Sequence, residues 1–268
     1  MPLKYTKELQ ASYDGMTLCN SFFKNKKALV TGGYGGIGVA IVKRLSQECG
    51  CVVVAGRDKD KLDKTIKSLS CDGYNNLTSL VLDNSKPSDF TKAILLEFKS
   101  KPIDIFINCA GVFTESDRFR EFRNVSKNTY NGTVDVNLKS TLLMCTMVAE
   151  EMGKYHIRGN ILNIASICGI FDSYGYTPYG LSKAGVIDLT KQLGEKYKDT
   201  IVVSGIAPGP VVSAMGHLGL DSIISNKTNI LNRTIIPEEI AALCAFMCTP
   251  LGKYFAGQTI VASAGTKF

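Results

Sequence analysis

The sequence has no tryptophan and only two histidines, His156 and His217. It also lacks any paired CxxC spacing, although cysteine occurs nine times. Structural zinc takes about four soft ligands. Here Cys49 and Cys51 flank one glycine, Cys244 and Cys248 stand one helical turn apart, and both histidines lie far from them in sequence. The expectation is no metal, with buried free thiols suited to a reducing cytosol. No run reaches the ~18 apolar residues of a membrane span, and the N-terminus lacks a secretory apolar core. A cytoplasmic protein with no membrane partner is therefore expected. Basic runs interleaved with aromatics are missing as well. The formal charge of +7 comes from cations spread along the chain. That argues against nucleic acid and for solubility with some attraction for anionic ligands.

What is present is a chain of 268 residues with 45% hydrophobic content, enough to bury the core of one α/β domain. Residues 1–25 mix Lys4, Lys7, Glu8 and Asp14 with scattered apolar positions and read as an N-terminal extension. From Lys26 onward, short β-branched runs alternate with amphipathic stretches. Strands are predicted at Ala28–Thr31, Cys51–Ala55, Leu80–Leu82, Ile103–Ile107, Asn160–Ala165, Ile201–Ile206 and Gln258–Val261. Helices are predicted at Ile37–Cys49, from about Asp58, and at Asp89–Lys99, Tyr130–Met152, Pro178–Tyr197 and Pro237–Cys248. Strand–helix alternation with continuously apolar strands implies a parallel sheet covered on both faces. The predicted fold is a Rossmann-type doubly wound sheet of about seven strands in a single domain, residues 26–268.

Directly after the first strand comes Thr31-Gly32-Gly33-Tyr34-Gly35-Gly36-Ile37-Gly38. Glycines between a buried strand and a helix let backbone approach a pyrophosphate, which rests on N–H groups at the helix N-terminus. A tight turn needs glycine too, so context carries this reading. The spacing T-G-x-x-x-G-x-G resembles the short-chain dehydrogenase/reductase family. The resemblance continues in order through the chain. Asp83, at the end of strand three, matches the family's adenine-contacting acid. Asn108-Cys109-Ala110-Gly111 is similar to its N-N-A-G segment, with cysteine for the second asparagine. Pro208-Gly209-Pro210-Val211-Val212-Ser213 is similar to P-G-x-V-x-T. Gly257-Gln258-Thr259-Ile260 resembles the start of its last strand.

The resemblance implies a nicotinamide dinucleotide held by Thr31, Gly32, Tyr34, Gly35, Gly36, Ile37, Gly38, Asp83, Asn108, Ala110, Gly111, Pro208, Gly209 and Val211. NAD enzymes hold the ribose hydroxyls with a carboxylate at the end of strand two. Gly56 stands there, followed by Arg57, whose permanently charged guanidinium suits a 2′-phosphate. NADP(H) is the expected cofactor, with NAD(H) second.

Tyr179 and Lys183 lie at i and i+4, on one face of a helix. Ser166 stands thirteen residues before the tyrosine. Serine at a strand end often only caps a turn, and a Tyr–Lys pair at that spacing is common on amphipathic helices. Their order downstream of a phosphate loop is what points to chemistry. Asn137, on the long preceding helix, matches the family's fourth catalytic member. Reducing a ketone requires a proton on oxygen as hydride reaches carbon. A tyrosine serves if a nearby cation lowers its pKa from ~10. The resemblance further implies that Lys183 and Tyr179 contact the nicotinamide ribose and that Asn137 anchors a water.

The expected activity interconverts a carbonyl and a secondary alcohol. A 3-oxoacyl-thioester (acyl-carrier-protein) reductase ranks ahead of polyol, sugar or steroid dehydrogenases. Tyr176 stands seven residues before Lys183, a spacing similar to enoyl-thioester reductases; Ser166 and Tyr179 favour ketone chemistry. A non-catalytic dinucleotide sensor would need the glycine loop but not the Ser–Tyr–Lys set. Pocket residues are expected in Phe171–Tyr176 and in a lid from Ala214 to Ile235 that carries Met215, His217, Leu218 and Leu220. Arg118, Arg120 and Arg123 would suit an anionic or carrier-bound substrate, or simply face solvent. The family resemblance also implies a homodimer or homotetramer built on the helices around 130–150 and 178–197.

Overall fold

A computed structural model describes residues 22–113, 126–171, 177–213 and 229–266. Seven parallel strands form one sheet: β1 (Lys27–Thr31), β2 (Cys51–Gly56), β3 (Leu77–Val81), β4 (Ile105–Asn108), β5 (Asn160–Ile164), β6 (Val202–Pro208) and β7 (Thr259–Ala262). Their spatial order is β3-β2-β1-β4-β5-β6-β7. The order reverses between β1 and β4, which places a crevice at the carboxyl ends of those two strands. Thr31 is in register with Asn108, and Asn108 with Asn163.

The five inner strands, β1, β2, β4, β5 and β6, bury both faces, as their largely apolar runs require. Val30, Val52 and Val54 pack with Ile41, Leu45, Leu62, Ile240 and Cys244. These residues come from α1 (Gly36–Ser46), α2 (Lys59–Cys71) and α7 (Pro237–Met247). Leu29, Val53 and Phe106 turn the other way, onto Phe90, Ile94, Met144, Val148, Leu189 and Leu193. That layer is α3 (Pro87–Ser100), α5 (Ser140–Lys154) and α6 (Thr177–Lys196). Among the described residues no helix is long and apolar enough to cross a membrane.

Several boundaries differ from the sequence reading. β3 begins at Leu77 and stops at Val81, because it is an edge strand whose Thr78 and Ser79 face water and break the apolar pattern. Asp83 therefore lies two residues beyond it. β5 likewise ends at Ile164, and Ser166 caps a short 3₁₀ turn, Ile167–Gly169, instead of closing the strand. α1 stops at Ser46, well before Gly50, where the amides of Glu48 and Cys49 both turn back onto the Leu45 carbonyl. The single long helix expected from Tyr130 is two helices, α4 (Lys127–Val134) and α5, joined by a π-helical turn at Asp135–Lys139. Phe23 is fully buried in the first cluster, so the packed unit takes in residues before Lys26.

Candidate active site

The glycine loop turns out of β1 with Gly32 in the left-handed region, φ +65°. A Cβ on Gly32 would stand 2.9 Å from the Ala110 Cα, and one on Gly38 would meet the Gly32 carbonyl oxygen. The loop thus closes on both β4 and its own helix, an approach only glycine permits. Thr31 fixes this joint. Its Oγ1 donates to Asn108 Oδ1 at 3.2 Å and accepts from the Cys109 and Ala110 amides, both at 3.2 Å. No side chain caps α1, whose N-terminus carries the partial positive charge of the helix. Ser213, beyond β6, lies against this end; a Cβ on Gly36 would be 2.8 Å from the Ser213 Cβ. Gly209 donates to the Ala262 carbonyl at 2.9 Å, and Val211 bridges to Ile235. Thr31, Gly32, Asn108, Ala110 and the segment after Pro208 are thus brought to one edge of the sheet. Glycine cradle and uncapped helix end fit the diphosphate of a dinucleotide.

Arg57 is exposed just beyond β2. Asp83 lies close enough to feel it. Burial raises the Asp83 carboxyl, but the Ser85 amide and hydroxyl, Lys86 and Arg57 together hold it below its usual range. The Tyr34 ring lies over Gly56.

Lys183 is 5% exposed. Its ammonium donates to the Ile164 carbonyl at 2.8 Å and lies 5.7 Å from the Tyr179 ring centroid. The helical i, i+4 offset sets both on the same face of α6. Burial pushes the Lys183 amine down to about 8. Ser166 accepts from the Cys168 amide at 3.2 Å, which fixes the hydroxyl oxygen at the mouth of the 3₁₀ turn. A Cβ on Gly169 would be 2.6 Å from the Lys183 carbonyl carbon, so that turn packs directly on α6.

Asn137 sits in the π-turn, and its amide is fully engaged. It accepts from Val112 N at 2.8 Å and donates to Val112 O at 3.0 Å and to Ser182 Oγ at 3.1 Å. Ser182 in turn donates to the Tyr179 carbonyl at 2.7 Å. A Cβ on Gly111 would touch both Asn137 Oδ1 and Lys183 Nζ at 3.4 Å, so the segment after β4 threads between them. The sequence reading missed this clamp, along with the buried Thr141 and Asn163 that continue it beneath the sheet. Asn108 donates to Thr141 Oγ1 at 2.7 Å and to Asn163 Oδ1 at 3.3 Å. Polar residues on otherwise apolar strand and helix faces were the available signal.

Two thiols stand beside the lysine. Burial raises Cys109 to about 11 and raises Cys168 as well, while Lys183 opposes both shifts. The Phe113 ring packs edge-on to Tyr179, centroids 5.2 Å apart. Ile170 and Phe171 are half-exposed after the 3₁₀ turn. Tyr176, the lid residues Met215, His217, Leu218 and Leu220, and Arg118, Arg120 and Arg123 lie outside the described residues.

A strand–glycine-loop–helix joint beside a tyrosine paired with a buried lysine, at the switch point of a parallel sheet, defines a dinucleotide-binding oxidoreductase. Residues 26–219 match the family model of the short chain dehydrogenases, and the chain belongs to that family. Its relatives include the human dehydrogenase/reductase SDR family member 4, 32% identical over 90% of this chain and 87% of that protein. The 3-oxoacyl-[acyl-carrier-protein] reductase FabG of Chlamydia muridarum is 32% identical, over 92% of this chain and 99% of its own. A 3-oxoacyl-[acyl-carrier protein] reductase of Brucella melitensis, solved with bound NAD, shares the fold. It superposes with a TM-score of 0.84 at 21% identity, covering 100% of this chain and 98% of that one.

Proposed function

We propose that this oxidoreductase is an NADP(H)-dependent reductase of 3-oxoacyl thioesters, with Tyr179 as the proton donor. The observation that carries it is the buried Lys183 ammonium beside the Tyr179 ring, at the sheet edge that also holds the glycine loop. A bound nicotinamide dinucleotide would supply the hydride. The chain supplies everything else.

A phenol at its ordinary pKa of ~10 holds its proton too tightly to exchange it near neutrality. Bringing it down by about 3 units takes ~4 kcal/mol of preference for the phenolate. Lys183 is placed to provide much of this. With its own pKa at about 8 it is chiefly cationic at pH 7, and burial strengthens its field at the phenol. Ser166 would donate to the carbonyl oxygen as negative charge develops there. Proton resupply would run through a water held near the Asn137 backbone carbonyl, since its side chain is spent on Val112 and Ser182. That carbonyl also accepts from Thr141 Oγ1 at 2.7 Å.

Arg57 favours the 2′-phosphorylated cofactor, with no carboxylate at Gly56 to bind a ribose diol. Phe113, packed edge-on to Tyr179, gives the site an apolar side suited to an acyl chain. The carrier-protein reductase of Chlamydia muridarum, matched over nearly its whole length, favours the thioester over a sugar. Tyr179→Phe tests the assignment. Turnover should fall by about 10²–10⁴-fold, the range of a lost general acid, while NADPH affinity stays within a few-fold. Retention of most of the rate would show that another group donates the proton.

A further inference from the structure

We propose that Tyr34 is a specificity-determining residue, whose ring fills over Gly56 the volume that a ribose-binding carboxylate would need. The pocket beside it is thereby left to a 2′-phosphate facing Arg57 and Lys61. This assignment rests on the pocket being that of NADP(H).

Gly56 is the last residue of β2, and its backbone is fixed by register with Val81 and by the Leu82 amide, which donates to its carbonyl at 2.9 Å. A Cβ there would stand 2.2 Å from Tyr34 Cε1, 2.8 Å from Cδ1 and 3.1 Å from Cζ. Any side chain at position 56 must therefore displace the ring, since the strand has no room to yield. The Tyr34 backbone is bracketed in turn by Gly33, which donates to Ala55 O at 3.0 Å, and Gly35, which donates to Gly32 O at 2.9 Å. The two positions interlock.

The charges around the ring favour an anion over a diol. Lys61 Nζ lies 6.0 Å from the Tyr34 centroid, and Arg57 follows Gly56 directly. Asp58, the nearest carboxylate in sequence, is committed to capping α2. It accepts from Lys61 N at 3.1 Å and pairs with Lys61 Nζ at 3.6 Å. A ribose diol requires acceptors, whereas a dianionic phosphate requires donors and cations.

The test is a double-mutant cycle on dissociation constants for NADH and NADPH, read from the fluorescence of the bound reduced cofactor. The variants are Gly56→Asp, Tyr34→Ser and the two combined, each checked for its melting temperature. Gly56→Asp alone should gain little for NADH, within about 3-fold of the wild type, because its carboxylate competes with the ring for one volume. The combined variant should bind NADH at least ~10-fold tighter than Gly56→Asp alone, a coupling expected of residues in contact. Equal NADH affinity in the two would overturn the interlock. Should Gly56→Asp fail to fold, Gly56→Ala replaces it. Its loss of NADPH affinity should then be reversed by Tyr34→Ser, and a loss that persists overturns the proposal. Arg57→Ala separates the underlying reading. Equal weakening of both cofactors by that variant would remove the NADP(H) assignment, while the 34–56 coupling is still read independently.

Discussion

At the scale of single residues, Lys183 is a cation held where water is scarce, and its titration is open to measurement. Burial lowers the amine to about 8 in the folded chain, against an ordinary value of 10.5. Between those values the unfolded chain carries more protons than the folded one, so stability from this group rises as pH increases. The burial penalty is fully present below pH 8 and gone above 10.5. The stability of wild type relative to Lys183→Met should therefore improve by about 2 kcal/mol from pH 7 to pH 10. Denaturant unfolding at both pH values measures this, and a difference independent of pH would place the lysine in contact with water. The shared helix face of Tyr179 and Lys183 was legible in the sequence because an i, i+4 spacing is a local fact. Ser166, by contrast, lies two residues beyond its strand, on a 3₁₀ turn that the sequence did not show. The Tyr34–Gly56 contact was not legible, since it joins residues on two strand ends that only the sheet brings together.

At the scale of elements, the π-turn between α4 and α5 is the feature that local pattern conceals. Its cause is long-range. The Asn137 amide reaches Val112, 25 residues away, and Ser182, 45 residues away. An extra residue in the turn aims that amide inward, as π-turns at functional positions commonly do. Asn137→Ala would leave the Val112 amide and carbonyl without these partners. A loss of about 2 kcal/mol is expected, or roughly 4–8 °C in melting temperature, together with slower turnover. An unchanged melting temperature would mean the clamp adds nothing. Strands β1, β2, β4 and β5 were visible from their apolar runs because both faces are covered. β3 was misplaced because an edge strand mixes polar and apolar residues, and Asp83 moved with it into the following loop.

At the scale of the whole molecule, the site exists because parallel strands deliver their carboxyl ends to one edge. Thr31, Arg57, Asn108, Ser166 and Pro208 come from five separate strand ends, and chain order alone implied that convergence once the sheet was read as parallel. Leu142 and Leu143 on α5 and Leu181 on α6 are exposed, on the helices where the sequence pointed to subunit contact. We propose a dimer or tetramer built on these faces. Sedimentation at micromolar concentration should show it, and a sole species of 29.1 kDa would contradict it. The central claim is that Tyr179 gives a proton to a carbonyl oxygen as hydride arrives from NADPH. The direct measurement is NADPH oxidation against a panel of 3-oxoacyl thioesters, simple ketones, sugars and 2-enoyl thioesters, with wild type and Tyr179→Phe side by side. The predicted result is turnover with a 3-oxo compound that Tyr179→Phe abolishes. Oxidation with a 2-enoyl thioester, and none with any 3-oxo compound or ketone, would contradict it.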